Sequence, residues 1–330
     1  MANGAGIEGM ILGKYKIIQK LGSGAMGAVF KAQNTENQQV VALKILSPKL
    51  AKDEQYLKRF QREVRAAREL QHPNIIAVYD AGAYKGFHYF TMEFIEGESA
   101  LDYIEREKKF PIPLALKIIY YVAKALDHAH SKNIVHRDIK PANIMISRNG
   151  VVKLADMGLA KKIGEGAYTQ ITMAGRIMGT PYYLAPERIS QEGDKSDTRA
   201  DIYSLGATFY HMIVGRVPFV GDPKKPFQIY HDILNRPVEF PPEANIPSAI
   251  QGLIQKMMAK SPQQRFQTPR ELLQTIEELF KAARKTQSTA SSATSTASAT
   301  SAKKGCLGVS IFVVFLFVVV VFLAVSTFFF

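Results

Sequence analysis

The residues that most constrain this chain are 136–143, which read His-Arg-Asp-Ile-Lys-Pro-Ala-Asn, and an Asp-Met-Gly triplet that begins at Asp156. Phosphoryl transfer needs little covalent chemistry from a protein, because it depends on an oriented hydroxyl and on magnesium that holds the terminal phosphate in line. We predict that Asp138 accepts the proton of the attacking hydroxyl and that Lys140 offsets charge on the transferred group. Asn143 and Asp156 would hold the magnesium.

Three further motifs accompany these residues. Residues 22–29 fit the pattern G-x-G-x-x-G-x-V, residues 41–44 read Val-Ala-Leu-Lys, and residues 185–187 read Ala-Pro-Glu. Taken together and in their order along the chain, these motifs resemble those of the eukaryotic-type (Hanks-type) Ser/Thr protein kinases of bacteria, and the resemblance covers roughly residues 15 to 283. One such motif alone would be weak evidence, whereas the complete ordered set is very hard to obtain by accident.

The resemblance implies an α+β chain with the two-lobed protein-kinase fold. A tail over residues 1–14 would precede a small β-rich lobe over 15–94, and a larger helical lobe would follow over 95–283. The residue pattern agrees for the small lobe. Residues 15–21 alternate as a strand does, and residues 39–46 are β-branched and apolar on both parities.

The glycine-rich stretch would let backbone N–H groups close over phosphates, although an ordinary glycine hairpin is the alternative. Lys44 on the following strand favours the phosphate-binding interpretation. Glu63 lies at the edge of an apolar helical stripe, where a carboxylate is either a solvated surface residue or the partner of Lys44, and the resemblance implies that it orients Lys44. By the resemblance, Met92 is the gatekeeper, while the Glu93 carbonyl and the Ile95 amide meet the adenine edge. The resemblance assigns ATP contacts to Leu21, Gly22, Ser23, Gly24, Ala25, Met26, Gly27, Val29, Ala42, Lys44, Met92, Glu93, Ile95 and Met145.

The segment over residues 156–187 would be the regulatory switch. In the family, an arginine in the position of Arg137 binds a phosphate on this segment, and a phosphate adds enough charge to order a loop. We predict autophosphorylation at Thr172 first and Thr169 second, in trans within a homodimer. The alternative is that these hydroxyls only make the loop polar.

Other residues are implied as supports. The resemblance implies that Thr180 hydrogen-bonds the catalytic aspartate and lysine, which with the Lys140-Pro141 pair indicates Ser/Thr acceptors on protein substrates. Asp201 would brace the backbone of the catalytic loop. Arg265 would pair with Glu187 of the Ala-Pro-Glu motif.

One position departs from the family pattern, because Met157 replaces the usual Phe of Asp-Phe-Gly. Methionine is apolar and flexible, so it can fill the same pocket with less rigid shape, and metal binding by Asp156 should survive. We expect an active enzyme that uses ATP and Mg²⁺. A membrane-anchored pseudokinase scaffold is the alternative, and a small-molecule kinase is disfavoured by the peptide-seating segment over residues 179–187.

The C-terminal part of the chain has a different character. Residues 307–330 carry no charge and are rich in Val, Phe, Leu and Ile. A helix of this length, at about 1.5 Å per residue, spans a hydrocarbon core of about 30 Å, so we predict a single transmembrane helix over 305–330, with a buried core helix as the alternative. Lys303 and Lys304 precede it, which places the catalytic domain in the cytoplasm. Residues 284–304 are mostly Ser, Thr and Ala and predict a flexible linker.

The formal net charge is +13, and Cys306 is the single cysteine. One cysteine excludes an internal disulfide framework and fits a reducing compartment. A basic domain held beside an anionic leaflet would be attracted to it, although scattered solvating charge is the alternative. The chain has no nucleic-acid-binding motif, so no nucleic-acid partner is expected.

Overall fold

The structure is a computed structural model that describes residues 6–24, 27–156, 181–189, 197–222 and 225–297. The chain divides into two units, residues 1–270 and residues 271–330. The first unit contains all the described residues of the predicted nucleotide site and catalytic loop. The second unit is described as far as residue 297.

A six-stranded antiparallel sheet forms the N-terminal lobe, in the order β1-β2-β3-β4-β6-β5. The strands are β1 (Ile11–Leu12), β2 (Tyr15–Gly24), β3 (Gly27–Asn34), β4 (Val40–Leu46), β5 (Val78–Tyr84) and β6 (Phe87–Glu93). Alternating apolar side chains from β2, β3 and β4, among them Ile17, Phe30 and Leu43, are buried in one cluster. Burial of one face in this way fixes the strand register, because a shift by one residue would expose the whole set.

Two helices follow β4: α1 (Pro48–Ala51) and α2 (Glu54–Arg68). Asp53 caps α2, since its carboxylate accepts a hydrogen bond from the Tyr56 amide at 3.0 Å. The apolar stripe of α2 packs on the sheet, where Phe60 and Val64 join Phe90 in a second buried cluster. This packing holds α2 against the face of the sheet that carries Lys44.

The C-terminal lobe is mainly helical and contains one small sheet of order β7-β8-β9. Its elements are β7 (Gly97–Ser99), α3 (Ala100–Glu107), α4 (Ile112–Ser131), β8 (Ile144–Ser147), β9 (Val152–Leu154), α5 (Thr198–Val214), α6 (Phe227–Asn235), α7 (Ser248–Met257) and α8 (Pro269–Ala297). Most of α5 is buried, and it ends at Gly215 with φ +83°. A Cβ on Gly215 would lie 2.6 Å from the Lys108 carbonyl oxygen, so only glycine fits this turn. The predicted two-lobed α+β architecture is confirmed.

The two lobes are joined by backbone hydrogen bonds as well as by the connecting chain. Ile75 forms a parallel bridge with Leu154 of β9. The Leu154 amide donates to the Asn74 carbonyl at 2.9 Å, and the Asn74 side-chain amide donates to the Val152 carbonyl at 2.8 Å. The segment before β5 is therefore fixed to the helical lobe beside Asp156.

The C-terminal region differs from the sequence prediction in one respect. We expected a flexible linker from residue 284, but α8 continues to Ala297. Once a helix is nucleated, each added residue gains one backbone hydrogen bond, which lets α8 extend into a segment that contains Ser, Thr and three Ala residues. The predicted membrane span over 305–330 lies outside the described residues, and within the described ranges no helix has the length and apolar character to cross a bilayer. The domain boundaries stay predictions.

Candidate active site

Asp138 is the centre of a short hydrogen-bond network in the loop that follows α4. Lys140 Nζ lies 2.8 Å from Asp138 Oδ2, and Asn143 Nδ2 donates to the same oxygen at 3.0 Å. Asn143 Nδ2 also donates to the Asp138 carbonyl at 2.7 Å. The Asp138 side chain is 48% exposed, so its carboxylate is oriented by two neighbours and can still be reached by an acceptor hydroxyl.

Asp201 of α5 holds the backbone of this loop through hydrogen bonds. Its two carboxylate oxygens accept from the amides of His136 and Arg137, each at 2.7 Å. These bonds stabilise Arg137 in a left-handed conformation, φ +68°, which a non-glycine residue rarely adopts. Burial raises the pKa of Asp201 above its usual value, although the His136 imidazole and the two amides oppose this shift. The predicted bracing role of Asp201 matches these contacts.

Lys44 and Asp156 form an ion pair between the lobes. Lys44 Nζ lies 2.8 Å from Asp156 Oδ1. Burial raises the pKa of Asp156, but the ammonium of Lys44 and its hydrogen bond, with His136 and Lys140 nearby, outweigh burial and hold the pKa below its usual value. The carboxylate is thus kept in the ionised form that a metal ion requires.

Two side chains in this region offer hard oxygen ligands for magnesium. Asp156 offers a carboxylate, and the Asn143 side chain offers its carbonyl oxygen because its nitrogen is used by Asp138. Mg²⁺ prefers one or two such protein oxygens together with phosphate oxygens and water. The residue types present therefore fit the predicted magnesium site.

Glu63 lies on α2 beside the buried Val64 and is half-buried. In this structure Lys44 Nζ donates a hydrogen bond to Asp156 Oδ1 at 2.8 Å. The Lys44–Glu63 pair therefore stays a prediction.

The glycine-rich stretch forms the hairpin between β2 and β3, in which Gly22 pairs with Val29 and Gly24 pairs with Gly27. Gly27 has φ +147°, and a Cβ there would overlap with the carbonyl oxygen of Ile45. Packing on β4 thus requires glycine at this position. A Cβ on Gly22 or Gly24 would meet no described atom within 4 Å, so the described packing gives no reason for glycine at either position.

The residues assigned to the adenine end share one face of the sheet. Ala42 pairs with Met92, and Lys44 pairs with both Val29 and Phe90. Directly paired residues project to the same side of an antiparallel sheet, so this face carries both the predicted adenine contacts and the lysine. Phe90 and Met92 of this face also line a small, mainly apolar pocket, together with Val64, Ala67, Ile76, Val78 and Asp156.

The remaining predicted contacts are placed as follows. Leu21 and Ser23 lie on β2 and are exposed, Met145 lies half-buried on β8, and Glu93 and Ile95 lie at the end of β6 and just after it. Ala25, Met26, Met157, Thr169, Thr172 and Thr180 lie outside the described residues.

Glu187 and Arg265 form a bidentate ion pair, with both N–O distances at 2.7 Å. The Arg265 guanidinium also donates to the carbonyls of Ala259, Lys260 and Arg199. The pair predicted by the resemblance is therefore present, and it is deeply buried.

Sequence reasoning missed Arg188, which follows the Ala-Pro-Glu motif. Its Nη1 donates to the carbonyl of Arg137 in the catalytic loop. Its position next to Glu187 was visible in the sequence, but nothing in the sequence indicated that this arginine turns toward the loop.

Comparisons with known proteins agree with this geometry. The family described as protein kinase domain matches residues 15–276. A probable serine/threonine-protein kinase of Clostridium perfringens is 38% identical over 79% of this chain and 37% of that protein. The serine/threonine-protein kinase PrkC of Bacillus subtilis is 34% identical over 78% of this chain and 39% of that protein. The chain thus spans less than half of the length of either relative.

Among solved structures, the kinase domain of PknI from Mycobacterium tuberculosis superposes with a TM-score of 0.63 at 30% sequence identity. The match covers 82% of this chain and 98% of that domain. From the family match and the ordered site residues, we conclude that this chain belongs to the protein kinase domain family.

Proposed function

We propose that the chain is an ATP- and Mg²⁺-dependent protein kinase that phosphorylates Ser and Thr hydroxyls of proteins while tethered to a membrane. One observation carries this proposal: Lys140 and Asn143 both contact the carboxylate of Asp138, in a chain related to named Ser/Thr protein kinases. A carboxylate held in this way is suited to orient a hydroxyl and to accept its proton.

The residues divide the work of phosphoryl transfer. Asp138 accepts the proton of the acceptor hydroxyl, while the Lys140 ammonium next to it counters charge on the transferred phosphoryl group. Asn143 and Asp156 would hold Mg²⁺, which would neutralise phosphate charge when bound. Lys44, which is paired with Asp156 in this structure, would contact the α- and β-phosphates when ATP is bound, and Glu63 would orient the Lys44 side chain.

The nucleotide enters beneath the β2–β3 hairpin. Open space at Gly22 and Gly24 lets backbone amides approach phosphate oxygens without a side chain in between. Ala42 and Val29 would enclose the adenine ring with Met145, and the hinge backbone at Glu93 and Ile95 would read its edge.

Regulation and location extend the proposal beyond the described residues. Autophosphorylation at Thr172 or Thr169, in trans between two copies, would bring a phosphate to Arg137. The apolar segment over 305–330 would hold the catalytic domain at the cytoplasmic side of a membrane. Protein substrates and ATP are then the partners, and no nucleic acid is expected.

The test uses the full chain in detergent micelles with labelled ATP and a generic acceptor protein. Asp138→Asn should lower the initial rate by about two orders of magnitude or more, the usual contribution of a general base. Asp127→Asn is the matched control, because Asp127 lies on α4 in an ion pair with the exposed Arg270.

Equal rates for wild type and Asp138→Asn would refute the role of Asp138. If the wild type shows no magnesium-dependent ATP binding in calorimetry, the chain is a scaffold and not an enzyme.

A further inference from the structure

A partly buried ion pair lies where the two lobes meet. Glu93 is the last residue of β6, Lys153 is the central residue of β9, and Lys153 Nζ lies 2.8 Å from Glu93 Oε2. The Lys153 side chain is 15% exposed and that of Glu93 is 26% exposed. An ion pair with this degree of enclosure is less screened than one at the surface.

Both the backbone and the side chain of Glu93 are hydrogen-bonded to Ala77, the residue directly before β5. Its amide donates to the Ala77 carbonyl at 2.8 Å, and its Oε2 accepts from the Ala77 amide at 3.3 Å. Successive residues of a strand project to opposite faces, so the Glu93 carboxylate lies on the other side of the sheet from Met92 and Lys44. The carboxylate is therefore directed away from the nucleotide face, and only the backbone of Glu93 is available to the adenine.

Lys153 lies on β9 of the helical lobe, and its two neighbours are bonded to the segment before β5. The carbonyl of Val152 before it and the amide of Leu154 after it are both hydrogen-bonded to Asn74. Lys153 also pairs directly with Met145 across β8 and β9. The backbone on both sides of Lys153 is thus held by hydrogen bonds, and Lys153 lies opposite Met145, a predicted ATP contact.

We infer that Lys153 is a positioning residue for the adenine end of the nucleotide site, because it holds the Glu93 carboxylate and thereby fixes the hinge peptide that reads the base. This inference rests on the proposed ATP-dependent function. Without Lys153, a partly buried carboxylate would lose its cation and move toward solvent, and the hinge backbone would move with it. The catalytic loop should stay in place, because its own brace is Asp201.

A second ion pair at the same junction provides a matched control. Arg148 Nη1 lies 2.8 Å from Glu96 Oε1, and these side chains are 79% and 67% exposed. Like the first pair, it joins the hinge region to the small sheet of the helical lobe. Because it is exposed, its removal should change little.

The experiment measures ATP binding and turnover separately on the full chain in detergent micelles. The dissociation constant comes from titration of a fluorescent ATP analogue, and KM for ATP and kcat come from phosphorylation of myelin basic protein. Lys153→Met should weaken ATP binding and raise KM for ATP about tenfold, between the small effect of an exposed pair and the large effect of a buried one. The kcat at saturating ATP should stay within about twofold, because the change affects binding and not the transition state alone.

Two further variants make the test decisive. Lys153→Arg should restore both ATP binding and KM, since it keeps a cation at the same position. Glu93→Gln should weaken ATP binding in the same direction as Lys153→Met, and it decides the question if Lys153→Met does not fold. Arg148→Met should behave as the wild type.

Unchanged ATP binding in Glu93→Gln and Lys153→Met, with a wild type that binds ATP, would overturn the inference and leave the proposed function intact. A fall in kcat with an unchanged KM for ATP would also overturn it. A wild type that binds no ATP would overturn both.

Discussion

Removal of the Arg265 guanidinium should be among the most destabilising single changes in the helical lobe. The Arg265 side chain has no exposed surface, and it makes two bonds of 2.7 Å to Glu187 and three more to backbone carbonyls. Arg265→Met keeps an apolar chain of similar length but leaves the Glu187 carboxylate with little exposure and no guanidinium. Breaking a buried pair by removal of one partner costs about 3–5 kcal/mol.

This loss can be read as a shift in the thermal unfolding midpoint. For domains of 150–250 residues about 1 kcal/mol corresponds to about 2–4 °C, so Arg265→Met should unfold about 6–20 °C below the wild type. Arg270→Met is the control, because Arg270 is 74% exposed and its pair with Asp127 should contribute under about 1 kcal/mol. Circular dichroism at pH 7 measures both midpoints.

A double variant tests the cause. Glu187→Leu combined with Arg265→Met leaves no uncompensated buried charge, so it should be less destabilised than Arg265→Met alone. If Arg265→Met unfolds within about 2 °C of Arg270→Met, the reasoning that this buried pair stabilises the lobe is wrong.

Three other outcomes are expected. Burial lowers the pKa of His211 to about 4, so between pH 6.5 and 4 the unfolded state binds a proton that the folded state does not. The free energy of unfolding should therefore fall by up to about 3 kcal/mol as the pH falls through this range. Denaturant unfolding from about pH 7 to about pH 4.5 should show this decrease in the free energy of unfolding, and His211→Gln should make it smaller. Gly27→Ala should lower the unfolding midpoint because its Cβ would overlap with the Ile45 carbonyl, whereas Gly22→Ala should keep the midpoint and weaken only ATP binding; equal midpoints for the two variants would contradict this. Deletion of residues 305–330 should move the protein from the membrane fraction to the supernatant, and a wild type already found in the supernatant would contradict the predicted anchor.

The sequence was most informative where chemistry restricts residue type and spacing together. Asp138, Lys140 and Asn143 lie within six residues, so any conformation of this short loop keeps them close. The Glu187–Arg265 pair could be predicted only by resemblance, because 78 residues separate its members. Local spacing therefore accounts for the catalytic loop, while knowledge of the family accounts for the long-range supports.

Other contacts depend on tertiary placement that no local pattern encodes. Lys44 and Asp156 are 112 residues apart in the chain, so the ion pair between them depends on how the two lobes pack. The Glu93–Lys153 pair joins two strands of different sheets, so the sequence around either residue gave no indication of this contact. The linker prediction weighed chain entropy alone. Helix propagation adds one hydrogen bond for each residue fixed, so a helix formed to residue 285 can extend into the Ser-, Thr- and Ala-containing sequence that follows.

The His136 imidazole connects the catalytic loop to the segment that carries Asp156. His136 Nδ1 accepts from the Asp138 amide at 3.2 Å, and its Nε2 lies 2.8 Å from the Ala155 carbonyl, directly before Asp156. These partners suit the tautomer with the proton on Nε2. Asp156 has φ +58°, a left-handed conformation that costs of order 1 kcal/mol and persists only where neighbouring contacts stabilise it. Since His136 is fully buried and bound to both segments, it fixes the proposed general base and the proposed metal-binding carboxylate relative to each other, and neither segment can move alone without the loss of a hydrogen bond to His136.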